Sequence, residues 1–303
     1  MTTEAAPSGR SSRAARSVTS PRGGAFAVRR FVSGALKHIG VTALSVGMIY
    51  PLIWLVVASL RPDSLIFREP GIVLSQLSLD NYEFGWTALS HPFSRYLLNT
   101  LVLVGGAILG NLVSCSLAAY AFARLRFTGR AVLFAIMLMT IMLPFHVVVV
   151  PQYILFAKLG WVNSFLPLIV PKFLAVDAFF VFLMVQFIRS IPRELDEAAR
   201  IDGATHFRIY RSVILPLMVP ALATTAIFTF IWTWNDFFSQ LIYLTSTKNF
   251  TVSLALRNFL DASSSSSWGG MFAMSVVSLL PLFVIFLAGQ RYLLRGIATT
   301  GIK

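Results

Sequence analysis

Long apolar runs separated by short polar stretches set the rhythm of this 303-residue chain. The first run covers residues 39–60, which at about 1.5 Å per residue spans roughly 33 Å, enough for a hydrocarbon core of about 30 Å. Further runs lie near 96–124, 131–155, 165–188, 213–237 and 271–290. Together they predict an all-α membrane protein with six transmembrane helices and both termini on one side. The predicted layout is a disordered basic tail (1–33), a first span (34–60), an external loop (61–95), a core of five spans (96–290) and a short tail (291–303). Pro144 and Pro151 interrupt the third span; such breaks are tolerated where neighbouring helices or a cavity satisfy the freed carbonyls. Gly106 and Gly110 in the second span are spaced for close helix approach.

Composition agrees with this pattern. The chain is 56% hydrophobic and only 12% charged, with mean hydropathy +0.75, where soluble domains carry about 25% charge. The net charge is +13, and its distribution sets the orientation. Eighteen Lys and Arg fall on the side of the termini, six on the other, and Lys172 lies within the fourth run. Basic residues gather on the cytoplasmic side, so both termini and the 189–211 loop are expected there. Nucleic acid is a poor partner for such charge, because it lies between spans rather than on one soluble face. A cleaved signal peptide is not expected, since the first apolar run is too long and no small-residue cleavage site follows it. The single cysteine, Cys115, sits in an apolar run and reads as a small buried residue.

One polar island stands out: Glu197-Ala198-Ala199-Arg200-Ile201-Asp202-Gly203, followed by a run ending in Val213-Ile214-Leu215-Pro216. Leu195, Ala198, Ala199 and Asp202 share one helical face, with Ile201 beside it, while Arg193, Glu194, Asp196, Glu197 and Arg200 occupy the other. Acids in the early turns suit the helix dipole. Gly203 can take the left-handed conformation that ends a helix, and Thr205 can cap a second one. By composition alone this is a solvated hairpin between spans. Its spacing resembles the signature loop of binding-protein-dependent ABC importer permeases: Glu-Ala-Ala, three residues, Gly, nine residues, an aliphatic, one residue, Leu-Pro. Val213 stands where that family usually has Ile. The sugar-transporting, maltose-type branch of the family is also resembled by Ala119-Tyr120-Ala121-Phe122-Ala123-Arg124, by Trp234-Asn235-Asp236-Phe237, and by Gln290-Arg291-Tyr292-Leu293-Leu294-Arg295-Gly296-Ile297, after which the tail departs from the pattern.

The resemblance implies a type I ABC importer permease fold in the inner (plasma) membrane, with a cytoplasmic coupling helix that seats in an ATPase subunit. Glu197, Ala198, Ala199, Gly203, Leu215 and Pro216 are its expected coupling residues. The implied partners are a second, similar permease, two ATPase subunits, an external solute-binding protein and a sugar or oligosaccharide, with membrane lipid around the spans. ATP and its Mg would sit on the ATPases. This chain shows no phosphate-binding loop: Asn111 stands where the stretch from Gly105 to Gly110 would need a lysine. It also shows no metal-ligand cluster and no nucleophile–base set, and its four histidines are scattered, so no catalytic residue, metal or bound cofactor is expected.

Lys172 and Asp177 are charges within the fourth span, each costing about 2.5–3.5 kcal/mol at a helix centre on insertion scales. On a continuous helix they lie about 140° apart and do not pair along one face; Lys172 would then snorkel outward. Asp177 reads either as a lining of the substrate path, with Asn235 and Asp236, or as a structural hydrogen bond to another helix. Ser263, Ser264 and Ser265, in the outer loop, occupy the place where related permeases meet the binding protein. Alternative cargoes are glycerol phosphate, polyamine or peptide. An ion-coupled secondary transporter is a further alternative, but no internal repeat supports it.

Overall fold

The computed structural model describes residues 23–69, 71–261 and 267–298, and among them every regular element is helical. Helix α1 (Gly23–Ser59) is followed by the short α2 (Asp63–Ile66) and α3 (Asp80–Thr87), then by the 32-residue α4 (Phe93–Arg124). Next come α5 (Arg130–Thr140) and α6 (Phe145–Lys158), then α7 (Leu166–Ile169), a 3-10 turn (Val170–Leu174) and α8 (Ala178–Ser190). A polar turn carries α9 (Glu194–Ile201) and α10 (His206–Ile209), leading through a π turn (Tyr210–Ile214) and α11 (Leu215–Leu217) into α12 (Val219–Asn235). The chain continues with α13 (Phe238–Tyr243), a 3-10 turn (Thr247–Asn249), α14 (Val252–Asp261) and α15 (Trp268–Ala298).

Four stretches of the described residues are long and apolar enough to cross a membrane: Leu36–Ser59, Phe93–Arg124, Leu166–Ser190 and Trp268–Gln290. Two bent helix pairs, Arg130–Thr140 with Phe145–Lys158 and His206–Leu217 with Val219–Asn235, bring the number to six where each pair counts as one span. Apolar side chains along α5 and α6, among them Val132, Ile136, Met139, Val147, Val150 and Ile154, are exposed, a surface that suits lipid or an apolar partner rather than water.

One expectation is corrected, and three elements gain detail. The tail ending at residue 33 is already helical from Gly23, because no proline intervenes and a helix, once nucleated, extends at little cost. Residues 1–22 lie outside the described ones. The interruption expected at Pro144 is a bend: the third span is two helices meeting at 100°, with Pro144, which cannot donate a backbone hydrogen bond, at the entry to α6. The last spanning stretch ends at Gln290 as expected, and its helix runs on to Ala298. The 61–95 segment holds two helices and is anchored: Asn81 donates to the backbone oxygens of Ser59 and Arg61 at 3.0 and 2.7 Å, and Asp63 accepts from the Gly269 amide.

The chain forms two compact units, residues 1–53 and 54–303. Within the second unit α4 is the central element, packed against α8, α12, α14 and the 170–174 turn. Its middle and end contribute Cys115, Ala119, Tyr120 and Ala123 to a core shared with Phe180, Met184, Ile188, Ile209 and Ile214. Its start contributes Phe93 and Tyr96 to a second core with Val252, Phe259 and Met274. The two glycines allow this closeness. A Cβ on Gly106 would stand 2.8 Å from the Ile169 side chain, and one on Gly110 would stand 2.9 Å from the Lys172 backbone. We expect Gly110→Val to cost about 1–3 kcal/mol, the usual range for overpacking, seen as a lower unfolding midpoint in detergent. Gly105→Val, whose Cβ meets nothing within 4 Å, should leave the midpoint unchanged.

Candidate functional site

The polar turn after α8 closes on itself through a defined set of backbone bonds. Ala204 N–H donates to the Ala199 carbonyl and Gly203 N–H to the Arg200 carbonyl, both at 2.9 Å, the paired bonds of a Schellman helix end. Gly203 supplies the positive φ, +79°, that this geometry needs. Thr205 then caps α10, its hydroxyl accepting from Arg208 N–H at 3.4 Å. Pro216 has no N–H for the Ser212 carbonyl and its ring crowds that group; the preceding residues widen into the π turn.

The two faces of α9 are not disposed as amphipathicity suggests. Leu195, Ala198 and Ile201 are exposed, Ile201 at 87%, while Asp196 is buried at 5%. The reason is Arg124, the last residue of α4. Its Nε lies 2.8 Å from Asp196 Oδ2, an ion pair with both side chains buried, and its Nη2 donates to the Ile191 carbonyl at 2.7 Å. The Nε–H direction misses the oxygen, so the contact is electrostatic rather than a hydrogen bond. Glu197 is exposed beside this pair. It lines a hollow of about 410 Å³ with Arg124, Arg126, Arg193, Arg200 and His206. The turn thus presents a carboxylate, a basic recess and uncovered apolar side chains, Phe207 included. Of the other residues expected with Glu197, Ala199 packs against the core, Leu215 is half-buried and Pro216 is exposed. A second tie to α4 lies one helix further on: the Tyr210 and Ser116 hydroxyls are 2.7 Å apart and buried.

The fourth span departs from the sequence reading. Ala175 has φ +54° and Asp177 has ψ 78°, so the chain between the 3-10 turn and α8 is not helical. This brings Lys172 and Asp177 together: Lys172 Nζ is 3.0 and 2.8 Å from the two Asp177 oxygens. The expectation that they do not pair along one face assumed an unbroken helix, and the snorkelling reading of Lys172 falls with it. Asn111 Nδ2 donates to Asp177 Oδ2 at 2.7 Å and to Thr229 Oγ1 at 3.1 Å, and Ser114 donates to the Lys172 carbonyl at 2.6 Å. The network joins α4, the broken span and α12, with Asn111 fully buried and the ion pair about a quarter exposed. It can hold polar groups without presenting net charge.

Asn235 and Asp236 stand at the break after α12 and bond locally. Asn235 donates to the Ile231 carbonyl at 2.8 Å, and Asp236 accepts from Ser239 N–H at 3.1 Å. Ser263, Ser264 and Ser265 lie outside the described residues. Sequence reading missed Asn111 and the Arg124–Asp196 pair. An Asn in the middle of an apolar helix was a usable signal, because an amide in lipid needs a partner.

The family model described as "Binding-protein-dependent transport system inner membrane component" matches residues 106–299. The trehalose/maltose transport system permease protein MalG of Thermococcus litoralis is 31% identical over 271 residues, covering 88% of this chain and 96% of that protein. The arabinooligosaccharides transport system permease protein AraQ of Halalkalibacterium halodurans is 33% identical over 272 residues, with the same coverage. Among solved structures, a chain from a bacterial ABC transporter involved in the import of the acidic polysaccharide alginate superposes with a TM-score of 0.77 at 21% identity, covering 86% of this chain and 96% of that one. That likeness concerns the fold.

Proposed function

The chain belongs to the family of binding-protein-dependent transport system inner membrane components, and on that premise we propose that it passes a neutral sugar or oligosaccharide, delivered by an external binding protein, through the membrane. It is a multi-pass membrane permease of the ABC importer class. In the proposed assembly it pairs with a second permease, and two ATPase subunits bind ATP and Mg and hydrolyse the nucleotide. Both termini and the α9–α10 turn face the cytoplasm.

The observation that carries the coupling role is the turn itself. Glu197 and the apolar side chains Leu195, Ile201 and Phe207 are uncovered on an element held rigid by a Schellman end and a buried ion pair. A partner surface with an apolar groove and a basic residue fits it. ATP shifts the ATPases toward a closed pair only because it binds that state more tightly. The turn follows that movement, and the spans alternate between inward-open and outward-open arrangements. A sugar cargo is supported by the names of the relatives and by the Lys172–Asp177 pair, whose charges cancel and leave amide and hydroxyl groups around it.

Co-purification tests the assembly. The tagged chain, extracted from its native membrane in mild detergent, should bring with it a second multi-span protein and an ATPase. A chain that purifies alone and transports in vesicles without ATP would overturn the proposal.

A further inference from the structure

We propose that Arg124 is a positioning residue: it fastens the α9 turn to the end of α4, and α4 carries the turn's displacement to the polar network at Lys172 and Asp177. The inference rests on the coupling role proposed above for Glu197 and adds the route by which movement reaches the spans.

Three observations place Arg124 there. Asp196, its partner, immediately precedes Glu197 in α9, so the pair sets the position of the residue offered to the ATPase. One guanidinium serves two segments at once, Asp196 through Nε and the Ile191 carbonyl through Nη2, which bracket the entry to α9. Arginine reaches the two from different nitrogens of one rigid plane, whereas lysine would have to serve both from a single nitrogen. Arg193 and Arg200 line the same hollow but are exposed, and Asp196 Oδ1 has no hydrogen-bond partner. The buried charge of Asp196 therefore depends on Arg124.

The helix behind Arg124 suits transmission. α4 is one unbroken helix without an internal proline, whereas the apolar segments around it are interrupted by the 100° bend before α6, by the left-handed Ala175, and by the π turn before α12. Asn111 lies thirteen residues before Arg124, a rise of about 20 Å along the helix. Between them Ser116 bonds to Tyr210 beyond the turn, so the turn is tied to α4 on both sides. Near its middle the same rod holds Asp177 through Asn111 and the 170–174 turn through Ser114. A shift of α9 is passed to the polar network by α4 and absorbed at the breaks elsewhere.

The test uses the complete transporter in proteoliposomes, with Arg124→Lys, Asp196→Asn, the exchanged pair Arg124→Asp with Asp196→Arg, and Glu197→Lys as a reference. The readouts are ATP hydrolysis with and without sugar-loaded binding protein, and sugar uptake. Arg124→Lys and Asp196→Asn should assemble, retain unstimulated hydrolysis, and lose stimulation and uptake by at least about tenfold. The exchanged pair should recover part of both, a result that loss of packing alone would not produce. Normal uptake in Arg124→Lys and Asp196→Asn while Glu197→Lys is inactive would overturn this inference and spare the coupling role. Normal uptake in all of them, Glu197→Lys included, would overturn the coupling role itself. If the single variants fail to assemble and the exchanged pair fails too, the pair serves folding only and the inference is wrong.

Discussion

Transporters carrying Glu197→Lys or Gly203→Val are expected to reach the membrane in normal amounts and to lose at least about nine-tenths of sugar uptake and of transport-linked ATP hydrolysis, a change of about 1.4 kcal/mol or more in the coupling step. Glu197 is exposed and lines a recess that is already rich in arginine. An exposed side chain can be exchanged without opening a cavity, and Glu197→Gln, which adds no like charge to the recess, should show the same loss in milder form if the carboxylate serves the partner contact. Gly203 acts through its backbone. Nothing lies within 4 Å of a Cβ built there, so bulk is not the obstacle; the φ of +79° is. A left-handed conformation costs an ordinary residue roughly 1–2 kcal/mol, and asparagine less. Gly203→Asn should therefore transport nearly normally where Gly203→Val does not. Normal transport by both Glu197→Lys and Gly203→Val would rule out the coupling assignment.

The second large effect is expected at Asp177. Asp177→Ala leaves the Lys172 ammonium without its counter-charge and removes an acceptor from the Asn111 amide. Breaking a buried pair on one side costs about 3–5 kcal/mol, and the quarter exposure of these side chains places the loss toward the lower figure. The unfolding midpoint in detergent should fall by several degrees. Replacing both partners, Lys172→Met with Asp177→Leu, should recover much of it, because no stranded charge remains. Uptake then separates the two roles weighed for Asp177. A stable double variant with unchanged apparent affinity for sugar makes the pair structural; a stable double variant whose affinity falls places it on the substrate path.

Much of the fold was legible because lipid imposes a simple rule. Apolar runs of spanning length announce themselves, and the two termini of α4 fell within three residues of the expected bounds. The Schellman end was legible as well, since Gly203 marks a left-handed residue and Thr205 a cap. The breaks were less so. Pro144 signals one; in the fourth span Pro167 and Pro171 signal an irregular start, but the positive φ falls on Ala175, a residue that nothing in the sequence singles out. The pairing of Lys172 with Asp177 followed from that hidden break. Asp196 was misleading in a different way. As one acid among several on a short helix it looks solvated, and only Arg124, more than seventy residues earlier, accounts for its burial.

The chain's sole cysteine is fully enclosed between α4 and α8, its sulfur near the Asp177 carbonyl and the Asn111 amide. This gives the experimenter a silent background. Thiol reagents added from outside find no native target in this conformation, so single cysteines placed on exposed loops can be labelled without first rebuilding position 115. The orientation of each loop, and the spacing of α9 from a neighbouring subunit during turnover, can thus be recorded on a chain whose interior is otherwise untouched.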